Sequence, residues 1–435
     1  MLKFTRIAFA AALMAGGTGL VTSPASAKKE EKPAAGAPAL KIGEAVRKVY
    51  APAQASLAAK DAVSGETNVA AVEAVAKTDD ELYVAQQLRL SLEVLKLQSG
   101  GTNASEAPLA KPLDALIANP STPKTDMARY LYLRGSLAFN ARQYPVALDL
   151  FSRAKAAGST EGELSLMIVK AKMETGDTAG GLAELDNTIK AETAAGRTAP
   201  EDYYRYAIAK ASASKTPDSR AVAVSWMQRY LKAYPTAKNW RDVLITFGFD
   251  ANAAKLSKAQ LVDLFRLMRA AKSLDQAGYQ EYAQTALDNL GLPAEAKTVI
   301  MEGRANGKLP ATAGAQILTD AATASRNDTP PAVLEKRAQT ATDGQAASQT
   351  GDSYLATGNY TKAAELYRLA LQKGLGKSTA RNAVGPDDVN THLGIALALS
   401  GDKAGARTAF AAVSTAPSSQ IAQFWTIWLD GAPTA

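Results

Sequence analysis

No cysteine occurs in the 435 residues, and there is one histidine, His392. The absence of cysteine excludes disulfides, thiolate zinc sites, thiol catalysis and covalent haem attachment. A single histidine leaves little from which to build a hydrolytic triad or a His-ligated metal site. It reads as a surface or groove residue. Aromatic residues are scarce, at 6% against 47% hydrophobic overall, so the core is expected to be built mostly from Ala and Leu. Period-2 alternation of β-branched and polar residues is missing over any useful length, which argues against strands. There is no Walker phosphate loop and no Gly-x-Gly pattern of the kind that follows a strand. Beyond the first residues, no segment approaches the ~18 apolar residues of a membrane helix. No cofactor or metal is expected.

Residues 1–27 read as a signal peptide. Lys3 and Arg6 supply a positive start, Ile7 to Val21 is apolar but broken by Gly16, Gly17 and Gly19, and Ala25-Ser26-Ala27 fits a cleavage site after Ala27. With no cysteine to follow the cleavage, a lipoprotein is excluded. The expectation is a periplasmic protein, with secretion as the lesser alternative. The precursor carries +7; without Lys3 and Arg6 it keeps 47 basic against 42 acidic residues, or +5. The basic residues are scattered rather than clustered. Nucleic acid is therefore not an expected partner, whereas a weak attraction to anionic envelope surfaces is.

What is present is helical. Residues 28–41, beginning Lys-Lys-Glu-Glu-Lys-Pro, read as a disordered leader. From Ile42 onward the apolar period is that of an α-helix; Leu82, Ala85, Leu88, Leu92 and Leu95 fall on one face. Residues 42–303 are expected to form a helical repeat solenoid. Residues 304–343, rich in Ala, Thr and Ser around Pro330-Pro331, read as a linker or weakly packed helices. Residues 344–435 read as a repeat pair closed by a capping helix with Ile421, Phe424, Trp425 and Trp428.

Three turns share one chemistry: Gly176-Asp177, Gly358-Asn359 and Gly401-Asp402. The glycine can close one helix in the left-handed conformation, and the next side chain can cap the following helix. Asp79-Asp80-Glu81 and Asp387-Asp388 precede apolar runs and also read as helix starts rather than catalytic acids. Tyr203, Tyr204, Tyr206, Tyr230 and Tyr234 form the densest aromatic group and, from their helical spacing, belong to a core.

A Gly, small, aromatic, small spacing occurs three times: Gly135, Ala147, Phe151, Ala154; Gly351, Ala363, Tyr367, Ala370; and Gly394, Ala406, Phe410, Val413. It resembles the tetratricopeptide repeat, a 34-residue helix–turn–helix unit. The resemblance covers about a third of the chain after residue 27, with weaker copies at 162–195 and 204–237. Gly358 and Gly401 are 43 apart, so extra residues lie between the last two units, around Lys377 to Pro386; no unit carries the family's early Trp.

The resemblance implies an all-α helix-turn-helix repeat solenoid, with the first helix of each unit lining a groove. The groove positions would be Tyr132, Ser136, Phe139 and Asn140, then Ser348, Asp352 and Leu355, then Thr391, Ile395 and Leu399. The family's carboxylate clamp needs Lys and Asn together in this groove, and that pair is not supplied. The function so implied is a non-catalytic periplasmic scaffold or adaptor that binds a protein or peptide segment. The alternatives are a peptidoglycan-remodelling enzyme or its subunit, for which the Glu-Ser pair of such solenoid enzymes is missing, and an envelope-surface binding module.

Overall fold

The computed structural model describes residues 40–101, 104–214, 218–250, 253–376 and 384–431. The expected signal peptide, nearly all of the expected leader and most of the extra loop after Lys377 lie outside the described residues. Among the described residues there are 21 α-helices and no strand. Within each of two compact units most helices pack on their neighbours in sequence, so the protein is an all-α repeat solenoid. It divides into two compact units, one up to Arg197 and the other from Thr198 onward.

The first unit holds α1 (Glu44–Ala58), α2 (Ala62–Val75), α3 (Asp79–Ser99), α4 (Ala110–Ala118), α5 (Lys124–Asn140), α6 (Tyr144–Ala156), α7 (Leu164–Glu174) and α8 (Thr178–Ala194). Helix α3 starts in a capping box: Thr78 accepts from the Glu81 N–H, and Glu81 reaches back to the Thr78 N–H, 3.2 Å. The same carboxylate accepts from the Gly43 N–H at 3.0 Å, and Asp80 accepts from the Lys41 N–H at 2.7 Å, so the acidic run also fixes the approach to α1. Leu82, expected on the buried face, is 39% exposed. The reason is geometric: α3 packs against α1, α2 and α4, so Leu90, Val94 and Leu97 are buried as well as Leu88, Leu92 and Leu95, and in the first turn the buried side chain is Glu81 rather than Leu82.

The hairpin α5–α6 explains the first Gly–aromatic spacing. A Cβ on Gly135 would lie 2.7 Å from the Phe151 ring, closer than any side chain tolerates. Only glycine lets the phenyl group reach the α5 backbone, and Ala147, Phe151 and Ala154 are fully buried.

The second unit holds α9 (Glu201–Ala213), α10 (Ser219–Ala233), α11 (Ala237–Gly248), α12 (Lys258–Ala270), α13 (Gln276–Leu290), α14 (Pro293–Ala305), α15 (Ala315–Arg326), α16 (Pro331–Thr340), α17 (Gln345–Ala356), α18 (Tyr360–Lys373), α19 (Pro386–Ser400), α20 (Lys403–Ala411) and α21 (Ser418–Asp430). The Gly–aromatic contact returns twice with the same separation of sixteen residues: Gly351 on Tyr367 in α17–α18, and Gly394 on Phe410 in α19–α20, where a Cβ would stand 2.7 and 2.3 Å from the rings.

The turn chemistry is the expected one. Gly176, Gly358 and Gly401 have φ of 95°, 79° and 92°. Asp177, Asn359 and Asp402 then accept from the N–H groups of Gly180, Lys362 and Gly405. The α5–α6 turn departs from this: Arg142 takes the left-handed conformation at φ 59°, and Gln143 makes no side-chain cap. Tyr203, Tyr204 and Tyr230 are core, with Tyr206 and Tyr234 half-buried beside them: Tyr204 stacks on Tyr230 at 6.1 Å and meets Tyr234 edge-on at 6.0 Å.

The last helix is more than a cap. Ile421, Phe424 and Trp425 are fully buried, and α21 packs on α10 and α12 as well as on α19 and α20. Phe424 meets Phe247 edge-on at 5.2 Å, the Gln423 side chain accepts from Gln228 at 2.7 Å, and Gln260 donates to Ser418 at 3.0 Å. These contacts join residues up to 195 positions apart, so the second unit closes on itself.

Candidate functional site

The expected groove residues fall into two environments. In the first unit, helical geometry places Tyr132 and Phe139, seven residues apart, on nearly the same side of α5, with Ser136 and Asn140 beside them. Tyr132 and Phe139 are half-buried, Ser136 is buried and Asn140 is exposed. The Ser136 hydroxyl is satisfied within the helix by the Tyr132 carbonyl at 3.0 Å, and the Asn140 amide donates to Glu106 at 3.2 Å. Phe139 is buttressed edge-on by Tyr144 at 5.3 Å, and Tyr132 lies 5.9 Å from Phe151. Burial raises the Tyr132 hydroxyl above its usual range, and the charges of Glu161 and Glu163 add to the shift. This face therefore offers aromatic edges, an amide and acidic neighbours.

In the second unit, Ser348, Leu355, Thr391 and Ile395 are buried and Leu399 is half-buried. The Thr391 hydroxyl donates to the Asp387 carbonyl at 2.7 Å. Asp352 keeps 22% of its side-chain surface but is engaged by its own fold, accepting from the Tyr367 hydroxyl at 2.7 Å and facing His392 Nδ1 at 2.8 Å. The His392 contact is a close ion pair rather than a well-aligned hydrogen bond. First-helix side chains in this unit thus face the unit's own interior.

His392, expected at a surface or groove, is 7% exposed at its side chain. Its Nε2 lies 3.3 Å from Asp263 on α12. Asp263 also accepts from Arg266 at 2.9 Å, and Arg266 forms a two-pronged pair with Glu295 on α14 at 2.8 and 2.7 Å. The Tyr282 hydroxyl donates to the same Glu295 carboxylate. Tyr282 is stacked on Phe265 at 5.4 Å. Five helices, α12, α13, α14, α17 and α19, therefore share one buried network, with α18 joined through Tyr367.

The electrostatics follow from this closure. Burial alone would lower the His392 pKa, but Asp263 and Asp352 outweigh it and push it up to about 10. Burial likewise opposes ionisation of Glu295 and Asp352, yet Arg266 and His392 respectively hold them below the usual carboxylate range. A charged histidine and a charged arginine thus face three carboxylates inside the helical unit.

Sequence reading missed the network. Its trace is in α12: Asp263 and Arg266 interrupt the run from Val262 to Met268, every residue of which is buried. Two charges at a spacing of three inside such a run must be paired, because isolated buried charge is prohibitively costly. The partner residues come from helices far along the chain and carried no local sign. Among the described residues, no group of histidines and acids is arranged to hold a metal ion, and no helix is long and apolar enough to cross a membrane.

No protein-family model matches the chain, and no curated protein sequence matches it. Among solved structures, a circular tandem repeat protein with novel repeat topology and enhanced subunit contact surfaces aligns with 88% of this chain and 94% of its own, at 12% identity and a TM-score of 0.11. An overlay that poor carries no argument; the repeat character rests on the helix packing itself.

Proposed function

We propose that the protein is an exported, non-catalytic scaffold of the tetratricopeptide type, which holds a protein or peptide segment against the first-helix face of its first unit. The observation that supports this most is the contrast between corresponding helices. On α5, Tyr132, Phe139 and Asn140 keep solvent-facing surface, whereas on α17 and α19 most of the corresponding residues are taken up by the fold. Aromatic edges beside polar groups are the usual chemistry of a recognition surface. The groove assigned here is accordingly the α5 face, with Ser348, Asp352, Leu355, Thr391, Ile395 and Leu399 serving the interior.

The test is photocrosslinking in cells. A photoreactive residue at Phe139 or Asn140 should capture a protein, and one at Thr323, exposed in the second unit, should not. Equal capture from all three positions, or none from Phe139 and Asn140, would remove the α5 face from consideration. Export has its own test: the protein should be recovered from the periplasm with Lys28 as its first residue.

A further inference from the structure

The stacking of the second unit is interrupted once. Helix α15 packs on α14 and α13, whereas the next helix, α16, packs on α17. Where the chain changes partners it leaves a cleft of about 290 Å³. An apolar cavity of ~150 Å³ is enough to take a benzene ring. Its apolar walls are Leu292, Pro293, Pro330, Pro331, Leu334 and Tyr354, with Ser325, Thr329, Ser353 and Thr357 at polar positions between them. The Tyr354 hydroxyl is already satisfied by Glu335, which Lys362 also approaches at 3.3 Å, so the phenol is held in place with its hydrogen-bonding capacity engaged.

Two independent features give this apolar cleft a sign. Asp328 is the charged residue on its lining; among the described residues it makes no ion pair, and its carboxylate accepts from the Thr329 N–H at 3.1 Å. Arg326, two residues earlier, is exposed like Asp328 but is not part of the wall. Second, α13, α15 and α17 all end beside the cleft, at Gly291, Asn327 and Thr357. Helix carboxyl ends carry partial negative charge, and three of them here stand against two helix starts. The two helices that start there, α14 and α16, both have proline at the first position, which removes an N–H from each.

We propose that the cleft is a binding site for a small organic cation, an alkylammonium or guanidinium group on an apolar stem. The stem lies against Pro330, Pro331, Leu334 and Tyr354, and the charged head meets Asp328 and the helix ends. This site is separate from the α5 face and does not depend on the function proposed above.

The test uses the full chain after residue 27 and three probes of one shape: phenethylammonium, 2-phenylethanol and 3-phenylpropionate. Binding is followed by calorimetry and by amide NMR shifts. The ammonium probe should bind best, with shifts confined to residues 291–294, 325–334 and 353–357. The neutral probe should bind about fivefold more weakly, as expected for a partly exposed charge pair, and the anion more weakly still. Asp328→Asn should bring ammonium and alcohol to within about twofold. Ser325→Trp, at an exposed lining position, should block all three while leaving the thermal melt unchanged. The proposal is overturned if no probe binds at 10-millimolar order concentrations, roughly the weak limit for such fragments. It is equally overturned if the alcohol matches the ammonium in the parent protein, if Asp328→Asn keeps the preference, or if the shifts map elsewhere. Competition by an acetylated Phe-Lys amide separates the sources: stronger binding than phenethylammonium assigns the cation to a polypeptide side chain, weaker binding to a free amine.

Discussion

The two units are built from the same local parts and finish differently. In the first, helices from α1 to α8 contact mainly their sequence neighbours, and among the described residues the buried charged side chain is Glu81, serving a helix start. In the second, α21 returns to α10 and α12, and Asp263, Arg266, Glu295 and His392 are buried together. The difference shows what closure does to a repeat. A first-helix face that stays at the surface keeps aromatic edges and an amide open to solvent. Once the unit closes, the same face must find partners inside, and its polar residues become a charge network. The hairpin rule is identical in both; the fate of its inner face is set by distant helices.

The sharpest way to break this comparison is Arg266→Met. It leaves Glu295 buried without its cation and Asp263 with His392 alone, and should cost about 3–5 kcal/mol. Hydrogen exchange should show faster opening of amides across α12, α14 and α19, with α3 and α5 unchanged. Equal loss of protection in both units would mean that the network is not private to the second.

His392→Gln comes next, and its effect should depend on pH. The folded pKa of His392 is raised from the ordinary 6.5 to about 10. Its contribution is therefore fully present below pH 6.5 and is lost as pH rises through about 10. The parent should exceed the variant by on the order of a few kcal/mol at pH 6, and the gap should close toward pH 10. A gap that stays constant in urea titrations across that range would contradict a charged His392. Asp352 runs the other way: its pKa is lowered, so its contribution is present above the ordinary aspartate pKa and lost as pH falls through the folded value.

The glycine contacts test what the units share. Gly135→Ala and Gly394→Ala each drive a methyl into a ring, Phe151 or Phe410, and should cost about 1–3 kcal/mol. Pairing each with a smaller partner, Phe151→Leu or Phe410→Leu, should show favourable coupling in a double-mutant cycle. Similar penalties in the two units would mean that the hairpin contact is one device used twice. The smallest effects belong to the turns. Asp402→Ala should lose about 1 kcal/mol with its cap. Arg142→Gly should be neutral or gain up to about 1 kcal/mol by relieving a left-handed arginine. Thermal melts distinguish these signs.

Much of the local structure was legible beforehand because its causes are local. The Gly–Asp and Gly–Asn turns and the Gly–aromatic spacing need only residues close in sequence, and the tyrosine contacts follow from one helical hairpin; all are present as expected. Leu82 was misplaced because a one-face reading does not suit α3, which packs on three helices. His392 was misplaced because its partners, Asp263 and Asp352, are brought to it by the folding of the unit.

By itself, then, the sequence determined that this protein is helical, where its hairpins turn and which small residues admit a ring at each crossing. These depend on backbone conformation and on contacts sixteen residues apart or fewer. Tertiary structure alone decided that α21 returns to α10 and α12, that one histidine is enclosed between two aspartates, and that a stacking break between α15 and α16 opens a cleft. Each of those depends on apolar surfaces and charges far apart in the chain, whose pairing no local period encodes.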